Sequence, residues 1–292
     1  MKYLEGNTFA ELYSKVIDQI YNHPDYISAP RGLKIKECLN VILQLNNPYS
    51  NLFKCPNDKK LTLPTGYTKK EIILYLNSTT KVSEFAKASN FWNNIVNPDG
   101  ETINSAYGNL IFNPSLNDGR SQFDWAFDCL KNDKDSRQAF MRYNNTCHQF
   151  DKVKDLPCTF IQIFHIRNNK LDSTIMMRSN DIILGLLHDV PSFTLFQHLM
   201  YLRLKEIYPD LEMGKYTHLA NSLHLYESGF EMTEKRLNTT LEENGIPMPN
   251  NWNVIKSTDV EILKSIKLDK QPQLVNNWSM PENIDFYNWI LS

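Results

Sequence analysis

The stretch that decides the architecture is TFIQIFHIRNNKLDSTIMMR (Thr159–Arg178), followed by PSFTLFQHLMYLRLKEIY (Pro191–Tyr208). Residues 159–167 and 171–178 are rich in β-branched and large apolar types, and Asn168-Asn169-Lys170 between them is turn material, so an antiparallel hairpin is predicted. Pro191 is placed as the first residue of a long apolar helix. Residues 215–226 then alternate like a strand, and Glu231 opens a further helix. Strands adjoin strands and helices adjoin helices, which indicates α+β rather than a doubly wound parallel sheet.

Working outward, Thr8-x-x-Glu11 is a capping box opening an amphipathic helix through about Tyr21, and residues 31–48 read as extended. Ile72, Ile73, Tyr75 and Leu76, then Val82, Phe85, Phe91 and Trp92, suggest two helices separated by Asn77–Thr80. Ser121-x-x-Asp124 begins another through Leu130. No repeat or long linker interrupts the chain, so residues 1–292 read as one domain.

Composition narrows the function. With 41% hydrophobic and 12% aromatic residues the chain can bury a sizeable core. The net charge of −2 supplies no basic field for nucleic acid or an anionic membrane, so a bound phosphate must be met locally. No apolar run reaches the roughly 18–20 residues that span a bilayer, and the N-terminus lacks a basic-then-apolar leader. A cytoplasmic protein is expected. Five cysteines without C-x-x-C spacing argue for reduced thiols and against structural zinc, and no metal is expected.

Cys158, after Pro157 and before an apolar strand, reads by itself as a small core residue. Downstream, Arg178, Ser179, Asn180, Asp181 and Asp189 gather around Gly185 between an apolar strand and an apolar helix. A polar cluster there is poorly explained as core. LPCTFIQIF (156–164), RSNDIILGLLHDVPSF (178–193) and THLANSLHLYE (217–227) resemble, in order, the active-site series of the thymidylate synthase superfamily. The likeness extends to EIILYL with Glu71, FWNNI with Trp92, SAYGNLIF with Tyr107 and DSRQ with Arg137. It fades in the first 25 or so residues and after about residue 245, and the terminal FYNWILS does not resemble the family's tail.

The resemblance implies a twisted mixed sheet flanked by helices, two subunits packed sheet to sheet, and 5,10-methylenetetrahydrofolate as co-substrate. It implies Cys158 as the nucleophile toward pyrimidine C6, which turns C5 into an enamine-like carbon. Arg178 is expected to lower the thiol pKa and to bind the nucleotide phosphate with Arg31, Ser179 and Arg137. Arg137 reaches across the dimer, and the family's second arginine is replaced by Gln138. Glu71 orders water and relays protons, Tyr107 supports proton removal from C5, and His224 and Tyr226 bond the sugar 3′-hydroxyl. Trp92, Asp181 and Gly185 are assigned to the folate.

Most thymidylate synthases carry asparagine where this chain has Asp189. An amide matches the O4 acceptor and N3–H donor of uracil, whereas an ionised carboxylate only accepts and so suits the amino group of cytosine. The aspartate resembles the deoxycytidylate hydroxymethylases and the related CMP hydroxymethylases, which add water rather than hydride. The reading is a dCMP 5-hydroxymethyltransferase. The alternatives are a methylating synthase acting on dUMP, a CMP hydroxymethylase, or a silent member that binds nucleotide or RNA.

Overall fold

The computed structural model describes residues 1–255 and 284–292; the expectation of one domain over 1–292 includes residues 256–283, which lie outside the described residues. The strands are β1 (Lys2–Gly6), β2 (Tyr26–Ser28), β3 (Ile35–Leu45), β4 (Leu52–Lys54), β5 (Phe140–Arg142), β6 (Thr159–Arg167), β7 (Lys170–Met177), β8 (Asn180–Asp181), β9 (Glu212–Tyr226) and β10 (Glu242–Asn244). The helices are α1 (Phe9–Asn22), α2 (Thr65–Leu76), α3 (Val82–Ala88), α4 (Tyr107–Phe112), α5 (Gln122–Asn132), α6 (Leu186–Lys205), α7 (Phe230–Leu237) and α8 (Ile284–Leu291).

The main sheet runs β1-β3-β9-β7-β6-β5, with β2 on β3 and β8 on β9, while β4 and β10 form a separate pair. It is mixed: β1 runs parallel to β3, and β7 and β8 parallel to β9, while the other pairs are antiparallel. The predicted hairpin is β6–β7, and its two-residue turn is Asn168-Asn169, both at positive φ. Asparagine tolerates that conformation at little cost, which is why the turn forms there. Thr8 caps α1 by accepting from the Glu11 amide, and Ser121 caps α5 by accepting from the Asp124 amide.

Two boundaries differ from the sequence reading. The long helix begins at Leu186, five residues before Pro191, because the Gly185 carbonyl already accepts from the His188 and Asp189 amides. The proline lies in the second turn, where it forfeits the backbone hydrogen bond that an amide there would make to the Leu187 carbonyl. Asp189 therefore sits in the first turn of α6 rather than on a loop. Second, α3 ends at Ala88, and Phe91 and Trp92 occupy a separate short 3-10 turn, Asn90–Asn94.

Helix α6 is buried at every position from Leu186 to Met200 except Asp189. Such a helix lies inside the core rather than on its surface. It rests on β7 and β9, and α2 and α5 pack against it. Its polar side chains are tied to backbone: Gln197 Nε2 donates to the carbonyls of Leu171 (2.9 Å) and Lys215 (3.1 Å), which joins α6 to β7 and β9. The other face of the sheet carries a row of Tyr3, Ile42, Leu219, Met176 and Ile161, adjacent in register across β1, β3, β9, β7 and β6. All five remain partly exposed, while their neighbours Val41, Ala220 and Met177 are buried beneath the helices. Helix α8 packs on α2 through a buried face of Phe286, Tyr287 and Ile290, and Lys69 of α2 bonds Ser292. No helix among the described residues is long and apolar enough to cross a membrane.

Candidate active site

Cys158 stands just ahead of β6, and its carbonyl accepts from the Arg178 amide (2.9 Å) at the matching end of β7. The Arg178 guanidinium folds back over this corner. Its Nη2 donates to the Leu156 carbonyl (2.6 Å) and approaches Cys158 Sγ (3.5 Å), while Nε donates to the Pro157 carbonyl (3.2 Å). The hairpin register thus places the thiol and the guanidinium together. Burial pushes the thiol pKa up; Arg178 pulls it down as expected but by less, and Asp189 and Asp155 add to the rise.

The turn from β8 into α6 is built around Asp181, whose Oδ1 accepts from the amides of Ile183 (2.7 Å) and Leu184 (2.5 Å). Its Oδ2 lies 3.5 Å from the Tyr226 amide, and burial raises its pKa while His224 lowers it. Leu184 on this turn is 69% exposed. Asn180 is buried, and its Nδ2 donates to Asp189 Oδ2 (2.6 Å). A Cβ on Gly185 would stand 2.8 Å from Asn180 Nδ2 and 3.3 Å from Asp189 Oδ2, so glycine leaves room for that pair.

Glu71 is buried in the middle of α2 and is not an exposed acid at a helix start. Trp92 Nε1 donates to the Tyr67 hydroxyl (3.2 Å), and Tyr67 donates to Glu71 Oε1 (3.0 Å). Burial and the neighbouring Asp189 push the Glu71 carboxyl up to about 8, and burial pushes Asp189 up to about 7. Two buried carboxyls with raised pKa values, one of them discouraging the other's ionisation, are suited to holding and moving protons. Thr68 Oγ1 bonds His188 Nδ1 (2.7 Å), and burial lowers His188 to about 4, so this imidazole is neutral.

Tyr107 opens α4, and its hydroxyl accepts from the Thr159 amide (3.3 Å), next to Cys158. Asp155 accepts from the Ser105 amide (2.7 Å) and hydroxyl (2.5 Å), which ties the loop ahead of Tyr107 to the loop ahead of Cys158. His224 and Tyr226 lie two apart near the end of β9 with ring centroids 5.1 Å apart, across from Asp181. Ser179 lies between Arg178 and Asn180, partly buried. Arg31 is exposed in a turn at positive φ beside Gly32. Arg137 is exposed in a surface cleft with Asp133, Asp135 and Gln138, and it makes no hydrogen bond or ion pair among the described residues. The fold therefore brings together Cys158, Arg178, Tyr107, Asp189 and Glu71, with Asp181, His224 and Tyr226 alongside, and leaves Arg137 outside that group. Sequence reading did not single out Tyr67 or Thr68, and it placed Asn180 in the polar cluster around Gly185 without giving it a role. Tyr67, one helical turn before Glu71, carried a usable signal; Thr68 depends on a tertiary contact.

The sequence model of the family described as thymidylate synthase matches residues 11–274. The chain belongs to the thymidylate synthase family. Among curated thymidylate synthase relatives, it is 27% identical over 248 residues to the deoxyuridylate hydroxymethyltransferase of Bacillus phage SP01, covering 78% of this chain and 60% of that protein. It is 26% identical over 222 residues to the deoxycytidylate 5-hydroxymethyltransferase of Enterobacteria phage T2, covering 74% of this chain and 85% of the relative. It is also 27% identical over 191 residues to the thymidylate synthase of Buchnera aphidicola strain APS, covering 62% and 70%. Both hydroxymethyl and methyl transfer are thus represented among its relatives. The protein is a one-carbon transferase of the thymidylate synthase type, a family that uses methylenetetrahydrofolate as co-substrate.

Proposed function

We propose that the protein is a dCMP 5-hydroxymethyltransferase. The observation that carries this reading is the Asp189 carboxyl, the one position of the first fifteen in α6 that is not buried, held by Asn180 beside Cys158 and Glu71. Once ionised, it accepts from the amino group of cytosine, and from N3–H after thiolate addition has made that nitrogen basic enough to take up a proton, and it repels O4 of uracil.

In this reading Cys158 Sγ bonds to C6, and the electron pair driven into the ring makes C5 nucleophilic. As that pair reaches N3, the nitrogen becomes basic and takes a proton from the Asp189 carboxyl, and the carboxylate left behind accepts from the new N3–H. The folate supplies the one-carbon unit and leaves as tetrahydrofolate. Tyr107, beside the Cys158–Thr159 backbone, supports loss of the C5 proton, and Glu71 directs water to the exocyclic carbon before Cys158 is expelled. Arg178, Ser179 and Arg31, with Arg137 from a second subunit, take the phosphate; His224 and Tyr226 take the 3′-hydroxyl. Trp92 and the exposed Leu184 offer apolar surface to the folate rings, and Asp181 Oδ2 keeps capacity to accept from them. The apolar row Tyr3–Ile42–Leu219–Met176–Ile161 favours a sheet-to-sheet homodimer, which would bring Arg137 to the neighbouring site.

The test is product analysis with dCMP, dUMP and CMP in parallel. The expected product is a cytosine nucleotide heavier by CH2O, with oxygen from labelled water and no dihydrofolate. Formation of 5-methyl product with stoichiometric dihydrofolate would refute the reading. A second reading, hydroxymethylation of dUMP, is favoured by the phage SP01 relative and by the carboxyl pKa of about 7, since a protonated Asp189 can donate to O4. The same assay separates the two.

A further inference from the structure

We propose that Asn180 is a specificity-determining positioning residue, whose amide holds Asp189 by one oxygen so that the other meets the base, and whose own carbonyl oxygen supplies a second acceptor. The proposal deepens the cytosine reading above and rests on it. Three features of the structure carry it.

First, Asn180 is only 2% exposed and donates through Nδ2 to Asp189 Oδ2 at 2.6 Å. With Asp189 ionised, as the cytosine reading requires, the carboxylate only accepts, and the amide nitrogen is the end that meets it. Second, Asn180 Oδ1 is buried and has no partner among the described residues. A buried acceptor without a donor is costly, and it points to a donor arriving with a ligand. Third, the Gly185 cradle, which a Cβ would fill, lies against both members of the pair. Asp189 Oδ1 and Asn180 Oδ1 thus form two acceptors on one hydrogen-bonded unit. The exocyclic amino group of cytosine carries two hydrogens, whereas O4 of uracil carries none.

The same hydrogen bond works against burial and favours the ionised form of Asp189. The other titratable groups around that carboxyl are Glu71, Tyr67 and Tyr75 on α2, Tyr107 on α4, Cys158 ahead of β6 and Tyr216 on β9. None of them is a cation, so Asn180 has no charged substitute in holding Asp189 ionised.

The experiment measures kcat/KM for dCMP and dUMP between about pH 5 and 9 in the wild type, Asn180→Leu and Asn180→Asp. Asn180→Leu removes the donor at similar volume. Asn180→Asp, the nearest in shape, places a second acid against Asp189 and serves where the leucine variant fails to fold. In both, the limb set by Asp189 moves upward by about one pH unit or more, and the dCMP-to-dUMP ratio at neutral pH falls about tenfold. A purely structural role lowers activity equally at every pH. If the wild type prefers dUMP, the cytosine reading falls; protonated Asp189 is then the active form, and the Asn180 variants still move its limb upward and the ratio toward uracil. A limb that stays in place, or an unchanged ratio, overturns the proposal.

Discussion

In the proposed reaction Cys158 and Asp189 divide the work between bond making and base choice, so their variants are expected to fail in different ways. Cys158→Ser is expected to keep fold and dCMP binding while turnover falls by several orders of magnitude, because a hydroxyl is a far weaker nucleophile toward C6. Single-turnover assays beside nucleotide titrations check it. Asp189→Asn restores a donor toward O4 and should move the dCMP-to-dUMP ratio of kcat/KM toward uracil by about 10–100-fold. For Glu71 the pKa is raised in the folded protein from 4.5 to about 8. The stability tied to its neutral form is thus complete below about pH 4.5 and is lost as pH rises through about 8. Glu71→Gln removes that loss: its Tm should match the wild type near pH 4.5 and exceed it above pH 8, by about 2–4 °C per kcal/mol recovered, with turnover abolished. The residues named here were legible because three motifs occur in family order. The net direction of the Cys158 shift was not, since burial depends on the folded surroundings and the sequence displays only the nearby arginine.

At the scale of elements, the helix pair α2 and α4 sets the distance between Glu71 and Tyr107. Gly108 makes that pair possible, because a Cβ there would stand 1.7 Å from the Tyr75 carbonyl oxygen. Gly108→Ala should therefore cost about 3 kcal/mol or more, read as a lower urea midpoint, and should separate the stacked rings of Tyr75 and Tyr107, now 5.6 Å apart. The β6–β7 hairpin was readable from Asn168-Asn169 because turn chemistry is local. The start of α6 was not: Pro191 looks like a first helical residue, and only Gly185 and the Asp181 turn reveal that the helix has already begun. Trp92 was read as helical for a similar reason, since apolar spacing does not distinguish an α-helix from a short 3-10 turn.

For the whole molecule, the proposed sheet-to-sheet homodimer on the apolar row would make assembly part of function. Leu219→Glu places a charge at the centre of that row and should convert a dimer into a monomer in sedimentation, with activity lost in step because Arg137 no longer reaches a neighbouring phosphate. A dimer that persists with full activity would contradict the sheet-to-sheet arrangement. The α+β class was foreseeable from element order and the mixed sheet from the family resemblance, but the row itself emerges only from register across five strands. The partial burial of Cys158 has a further consequence for handling and labelling. Oxidants and alkylators reach a half-buried sulfur less readily than an exposed one. Cys147, the exposed cysteine among the five, meets such a reagent first and so offers an attachment point for a fluorophore on an enzyme that remains active.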